Sequence, residues 1–313
     1  MSDVLQNCSK AFSQALYQAS LSDEKIFIVT NDSVATNHSL EFQSSFPDRL
    51  IDVGIAEQNM VGVASGLANS GRTVFVQSAA CFLTARALEQ IKADVAYANR
   101  NVKLCGFNSG LSYAPLGATH LSIDDIAWLR AIPNIKIIIP GDHRESAAAA
   151  QYTLKNFGPI YVRLANLTLP DLYDQEVTFD KAVMLRDGND VTVVSTGIAT
   201  HAAKEAAVHL EKIGISARIL HMPGISPCDD ECILKASKEI GPIAVVEEHS
   251  VHGGLGTIVC DVTATENPVP VLKLGIPHQF LPIGKSDWLR NHVGLNADSI
   301  ASRIANWLKD TPQ

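Results

Sequence analysis

Short apolar runs alternate with helix-length segments along nearly the whole chain, and no other feature restricts the fold as much. The runs are KIFIVTN (25–31), LIDV (50–53), RTVFVQS (72–78), NVKLCGF (101–107), IKIIIP (135–140) and IYVRL (160–164). Helical patterns occupy 57–70, 82–99, 122–131 and 142–154. Near-continuous apolar strands with helical crossovers predict a parallel sheet covered on both faces. The pattern breaks over 166–188, where NLTLPDLYDQEVTFDKAVMLRDG is polar and irregular. It resumes with strands DVTVVSTG (190–197), SARIL (216–220), PIAVVEE (242–248) and VPVLKLG (269–275), and with helices over 199–213, 229–240, 255–264 and 297–309. We expect an α/β protein of two doubly wound domains, 1–166 and 189–313, joined by a linker over 167–188. A chain of 313 residues, 46% hydrophobic, is long enough to bury a core in each.

The net charge of −8 argues against nucleic acid or an anionic membrane as partner. No apolar run approaches the roughly 20 residues that span a bilayer. The opening MSDVLQNCSKAFSQAL lacks the apolar centre of a signal peptide. The six cysteines are scattered, and CDDEC (228–232) is the only close pair, which is weak support for a metal site. The expectation is a soluble cytoplasmic protein with free thiols.

Several ligand sites common on α/β sheets are missing. HGGLGTIV (252–259) has the wrong glycine spacing for a dinucleotide fingerprint, which removes a nicotinamide-binding reading. QFLPIGKS (279–286) ends like a phosphate loop but has Gln279 where glycine is required. HSVH (249–252) offers two imidazoles without a third ligand. No G-x-S-x-G elbow anchors a hydrolase triad.

RLIDVGIAEQNMVGVASGLANSG (49–71) is more informative. Its strand would carry Asp52 and Val53 to the carboxyl edge of a parallel sheet, where ligands of such sheets collect. Gly54 permits a tight turn. Glu57 then stands in the first helical turn, where the helix dipole favours an acid. Taken alone, it reads as a first-turn acid. The helix behind it carries Gly62 and Gly66, and a glycine inside a helix costs about 1 kcal/mol relative to alanine. Two of them suggest that another backbone packs closely, as at a subunit interface. An acid beside such an interface is partly desolvated and suited to trading a proton with a buried nitrogen.

DVGIAEQNMVGVASGLANSGRTVFVQS resembles the aminopyrimidine-binding motif of the transketolase family of thiamine diphosphate enzymes. FLTARALEQIKADVAYANRNVKL (82–104), GATHLSIDDIAWLRAIPNIKIIIPGD (117–142) and GPIYVRLAN (158–166) follow in the order seen in that family. VVEEHSVHGGLG (245–256) resembles its C-terminal domain. The resemblance covers almost the whole chain, as the second half of a full-length transketolase. It implies a pyrimidine-binding domain followed by a transketolase C-terminal domain.

In this family the motif glutamate bonds N1′ of the cofactor's aminopyrimidine and promotes the imino tautomer, whose nitrogen takes the proton from thiazolium C2. The resemblance gives Glu57 that role and implies that Phe82 stacks on the aminopyrimidine, with Ile55 beside them as a cofactor contact. It makes His120 a histidine facing the reacting centre and Arg163 a clamp for a sugar phosphate, for which a planar guanidinium suits. It makes Asp32 a contact to sugar hydroxyls. Read without the family, Phe82 is a core aromatic, His120 a loop histidine, Arg163 a strand-end arginine and Asp32 a turn or capping residue.

The chain also departs from the pattern. Asn108, expected among the substrate-binding residues, stands where the family often has a histidine, and Leu116 where it has a hydroxyl-reading aspartate. Ala79 and Ala85 replace aromatics of the cofactor pocket, and Ser9 or Lys10 stands near a missing phosphate-binding arginine. These departures imply a modified sugar or a non-standard acceptor. The G-D-G…N motif that holds the diphosphate through a metal is absent; RDGND (186–190) is the nearest stretch. The expectation is a two-component enzyme, α2β2, whose second subunit supplies the diphosphate site and the Mg2+ or Ca2+ ligands. The alternatives are the β subunit of a 2-oxo acid dehydrogenase, a deoxyxylulose phosphate synthase-like enzyme, or a non-catalytic partner on the same fold.

Overall fold

A computed structural model describes residues 5–311. Among the described residues, fourteen strands form two sheets and a short ribbon. They are β1 (Gln6–Asn7), β2 (Ile26–Thr30), β3 (Leu50–Asp52), β4 (Thr73–Ala79), β5 (Val102–Phe107), β6 (Lys136–Ile138) and β7 (Ile160–Arg163). After these come β8 (Thr168–Leu169), β9 (Val183–Arg186), β10 (Val191–Ser195), β11 (Ala217–His221), β12 (Gly224–Ser226), β13 (Ile243–Ser250) and β14 (Val271–Ile276). The first sheet runs β12-β6-β7-β5-β4-β2-β3 and the second β14-β13-β10-β11-β9.

The central strands behave as their composition demands. Every residue of β5, β7 and β10 is buried, because helices cover both faces of each sheet. The sheets are not purely parallel, however. β12 pairs antiparallel with β6, and β9 antiparallel with β11. β12 therefore sends a strand of the second half of the chain into the first sheet. The segment expected to be a linker is also partly built: it contains β8, which pairs with β1, and β9. Two-residue strands and mixed polarity gave no period to read.

Several helical details differ from the sequence expectation. The segment 82–99 is not one helix: Ala80–Arg86 stops at Ala87, a short turn Leu88–Gln90 follows, and Ile91–Tyr97 is a wide π-helical turn. Helix Cys8–Ser20, unassigned from sequence, begins at Asn7, whose side chain accepts the Lys10 amide at 3.1 Å. It buries Phe12 and Leu16 beside helix His143–Lys155. Helix Ser286–His292 was likewise unassigned. Helix Glu57–Asn69 buries Met60, Val61 and Ala64 and turns its glycines outward. Apart from their own helix, no atom of the described residues lies within 4 Å of a Cβ placed at Gly62 or Gly66. The close backbone packing expected there is not made within one chain.

A buried polar clamp joins the two halves. Glu145, on helix His143–Lys155, meets His221 at the end of β11, with Nε2 3.0 Å from both carboxylate oxygens. Tyr173 Oη donates to Glu145 Oε1 at 2.5 Å and the Gly141 amide to Oε2 at 2.7 Å. Burial alone would raise the Glu145 pKa. The His221 charge and the hydrogen bonds from His221, Tyr173 and Gly141 outweigh it and hold the carboxyl below its ordinary 4.5. A depressed folded pKa gives stability that is present above 4.5 and lost as pH falls through the lower folded value. Melting temperature is therefore expected to fall with acidification below that pH, with a shallower slope in Glu145→Gln. Equal slopes would contradict the assignment.

Candidate active site

Helix Glu57–Asn69 starts where β3 ends, so Glu57 lies at the carboxyl edge of the first sheet. The turn is tied by Asp52, whose Oδ1 accepts the Gly54 amide and the Asp32 amide, each at 2.9 Å. Gly54 adopts φ +71°, a conformation open to glycine, which brings the chain round within three residues. Glu57 is only 3% exposed. Its Oε1 accepts from Asn31 Nδ2 at 2.8 Å and from Arg86 Nη1 at 3.0 Å, and no hydrogen bond from the described residues occupies Oε2. A depression of about 570 Å³ opens here, lined by Ile55, Ala56, Glu57, Gln58, Asn59 and Arg86. Ile55 is 75% exposed at its rim.

Aromatic groups continue from that carboxylate. The Arg86 guanidinium lies 4.1 Å from the centroid of the half-buried Phe82 ring. Phe82 meets His120 edge to face at 5.1 Å, and Tyr113 meets His120 at 6.3 Å. His120 Nδ1 is 3.0 Å from Thr119 Oγ1. The structure thus gathers Glu57, Phe82 and His120 into one continuous surface, although they are separated by 25 and 38 residues in sequence. It does so because the carboxyl ends of β3, β2, β4 and β5, in that order across the sheet, lie along one edge of the parallel strands.

The other expected residues are placed differently. Arg163 requires a correction. Its side chain is 6% exposed, and its Nε binds Asp125 Oδ2 at 2.8 Å. Its Nη2 donates to the carbonyls of Ser122 at 2.8 Å and Glu248 at 3.1 Å. A guanidinium committed to a fully buried carboxylate and two carbonyls is not an open phosphate clamp; it holds the loop after His120 to β7 and to the second sheet. Asn108, expected to bind substrate, is 3% exposed with φ +53°. It donates to Tyr113 Oη and accepts from Asn166 Nδ2, both at 2.9 Å, so its amide is engaged by the protein. Asp32 is exposed at φ +36° beyond the end of β2. Leu116 is 53% exposed, Ala85 is exposed and Ala79 is buried.

The transketolase pyrimidine binding domain matches residues 6–170, and the transketolase C-terminal domain matches residues 180–300. The chain belongs to the transketolase family. Among its relatives, one of the subunits of the apulose-4-phosphate transketolase of Phocaeicola vulgatus is 41% identical over 305 residues, covering 96% of this chain and 97% of that one. The 6-deoxy-6-sulfo-D-fructose transketolase subunit of Clostridium sp. is 36% identical over 89% of this chain and 87% of its own. A solved structure described as a split gene transketolase, inactive beta4 tetramer, superposes with a TM-score of 0.90 at 32% identity, covering 98% of this chain and 99% of the other. These relatives favour the transketolase reading over the synthase alternative.

In transketolase terms, sequence reasoning missed Arg86 and Asn31. Arg86 lies four residues after Phe82, a helical spacing that put both on one face of the segment. Asn31 closes β2 and is buried, with Oδ1 unpartnered. It gave no sequence signal beyond its position at a strand end. Among the described residues no group of three or more His, Cys, Asp or Glu side chains is placed to hold a metal ion. No described helix is long and apolar enough to cross a membrane.

Proposed function

We propose that this chain is the pyrimidine-domain subunit of a two-component, thiamine diphosphate-dependent transketolase that moves a two-carbon ketol unit from a ketose to an aldehyde. One observation carries the reading: a buried glutamate at the sheet edge has one oxygen held by Asn31 and Arg86 and the other open to a depression. That arrangement fits the aminopyrimidine. Oε2 of Glu57 is free to bond N1′, Phe82 presents a half-exposed ring for stacking, and the unpartnered Oδ1 of Asn31 adds a buried acceptor. When bound, the cofactor supplies the electron sink for carbon–carbon cleavage. The chain's own part is acid–base and positional. Glu57 shares a proton with N1′; Asn31 and Arg86 fix its carboxylate; His120 faces the reacting carbons; and Asp32 stands on the exposed side for substrate hydroxyls. Tyr113 and Asn108 brace the His120 loop.

The diphosphate and its Mg2+ or Ca2+ would be held mainly by the second subunit, since this chain shows no cluster for them among its described residues. The open stripe of Gly62 and Gly66 and the exposed Ile55 then meet that subunit, in an α2β2 assembly in the cytoplasm. The domain division 1–166, 167–188 and 189–313 goes with this reading, the strands in 167–188 notwithstanding. The donor is a modified sugar or sugar phosphate. Leu116 offers no carboxylate for a hydroxyl, and the relatives at 41% and 36% identity are named for apulose 4-phosphate and a sulfo-sugar. The test is reconstitution. The isolated chain with thiamine diphosphate and Mg2+ is expected to show no ketol transfer, and addition of the diphosphate-binding subunit to restore it. Full activity of the isolated chain would overturn the two-component reading, and decarboxylation of pyruvate by the pair would overturn the reaction class.

A further inference from the structure

Three asparagine side chains lie head to tail behind the turn of His120, and their direction is fixed at one end. Asn7 Oδ1 accepts the Lys10 amide at 3.1 Å and Ser9 Oγ at 2.8 Å. A backbone amide only donates, so Asn7 must turn its oxygen toward Lys10 and its nitrogen the other way. Asn7 Nδ2 then donates to Asn166 Oδ1 at 2.8 Å, Asn166 Nδ2 to Asn108 Oδ1 at 2.9 Å, and Asn108 Nδ2 to Tyr113 Oη at 2.9 Å. The pairing of β1 with β8 brings Asn7 to Asn166, although 159 residues separate them.

The row ends on a group with a hydrogen left over. Tyr113 Oη takes a hydrogen from Asn108, so its own O–H points elsewhere. Burial holds the Tyr113 pKa above its ordinary 10, so that hydrogen stays in place. Among the described residues the phenol makes no hydrogen bond besides the one from Asn108. Thr36, which also bears on the phenol, gives its own hydroxyl hydrogen to the Ser33 carbonyl at 3.0 Å. The Tyr113 ring is half-buried, and its centroid stands 6.3 Å from that of His120. Aligned hydrogen bonds polarise one another, which strengthens the last donor of the row.

We infer that Tyr113 donates this hydrogen to a hydroxyl oxygen of the sugar, close to the bond that is made or broken, and that Asn7, Asn166 and Asn108 are positioning residues that set its direction. The inference rests on the proposed transketolase function and adds a specificity-determining group to it. A sugar lacking that hydroxyl leaves the phenol hydrogen without a partner and is disfavoured.

The experiment uses the reconstituted complex at about pH 8, where an exposed carboxyl is ionised, with hydroxypyruvate as donor. Two pairs of acceptors each differ in one hydroxyl: glycolaldehyde with acetaldehyde, and D-glyceraldehyde with D-lactaldehyde. The readout is the ratio of kcat/KM within each pair, hydroxylated over deoxygenated. Tyr113→Phe is expected to lower this ratio about tenfold in one of the pairs. Asn108→Asp is expected to lower the same ratio to a similar extent. An ionised carboxyl has no hydrogen to give, so it accepts from Asn166 and Tyr113 alike and turns the phenol hydrogen inward. Aspartate has the size of asparagine and also tolerates the φ of +53° found at Asn108. Because both changes remove the same donation, the double variant should lose no more than about twofold beyond either single. Ratios that stay within about twofold in both pairs with Tyr113→Phe would overturn the inference and leave the phenol hydrogen to the protein. An unchanged ratio in a folded Asn108→Asp variant, or losses that multiply in the double variant, would overturn the directed row. Melting temperatures report folding, and if Asn108→Asp does not fold, Tyr113→Phe decides alone. If the unaltered complex joins hydroxypyruvate to none of these acceptors, the proposed function fails first, and the two failures are separately visible.

Discussion

Glu57→Gln is expected to lower kcat of the reconstituted complex by about 10²- to 10⁴-fold, the range a positioned proton-transfer group contributes. Glutamine keeps the size and can still accept from Asn31 or Arg86, so the helix start and the depression should survive. What disappears is a carboxylate able to hold a proton between itself and a ring nitrogen. The loss should therefore fall on kcat with the melting temperature nearly unchanged. Arg86→Ala should give a smaller loss, because Arg86 is half exposed and orients one oxygen rather than taking the proton. Retention of more than about a tenth of the activity by Glu57→Gln would remove the proton-transfer role.

Asp125→Ala is expected to destabilise the protein by about 3–5 kcal/mol, because it strands a buried guanidinium. Asp125 is fully buried and accepts from Arg163 Nε at 2.8 Å and Tyr161 Oη at 2.6 Å. Burial would raise its pKa, but the charges of Arg163 and His249 and the hydrogen bonds from Arg163 and Tyr161 hold it below the ordinary carboxylate range. Removing the carboxylate leaves the Arg163 charge without a counter-charge in a site with little water. The same guanidinium ties the Ser122 and Glu248 carbonyls, so the His120 loop and the second sheet loosen together. Replacing both partners, Asp125→Leu with Arg163→Met, should recover much of the stability, since an apolar pair leaves no uncompensated charge. Denaturant titration of the single and double variants separates the outcomes. A single variant as stable as the unaltered chain would mean that the ion pair contributes nothing.

The positions of the strands were legible because parallel strands covered on both faces must be almost wholly apolar, as VKLCGF and VTVVS are. The break within 82–99 was not, because a π-helical turn has the composition of an α-helix; here Ser65 Oγ bonds the Asp94 carbonyl within the widened turn at 2.8 Å. The small strand β12 was not legible either. Its pairing with β6 depends on a neighbour from another part of the chain, and three residues leave no period. Glu57 was legible as a candidate through the turn before it and the glycines behind it. Asn31 and Arg86 were not, since nothing in sequence says that the end of β2 and the helix after β4 point at one carboxylate.

By itself the sequence determined the alternating layers, the sheet edge at which a ligand would collect, and the family to which GIAEQN belongs. Those depend on local periodicity and on short-range order, which a linear pattern carries. Only the tertiary structure decided which polar groups are free. It gave Glu57 two donors on one oxygen and none on the other, and it buried Arg163 against Asp125. It also lined up Asn7, Asn166 and Asn108 behind Tyr113. Whether a charged side chain meets solvent or another charge depends on contacts between segments far apart in the chain, and these form only when the strands and their covering helices assemble.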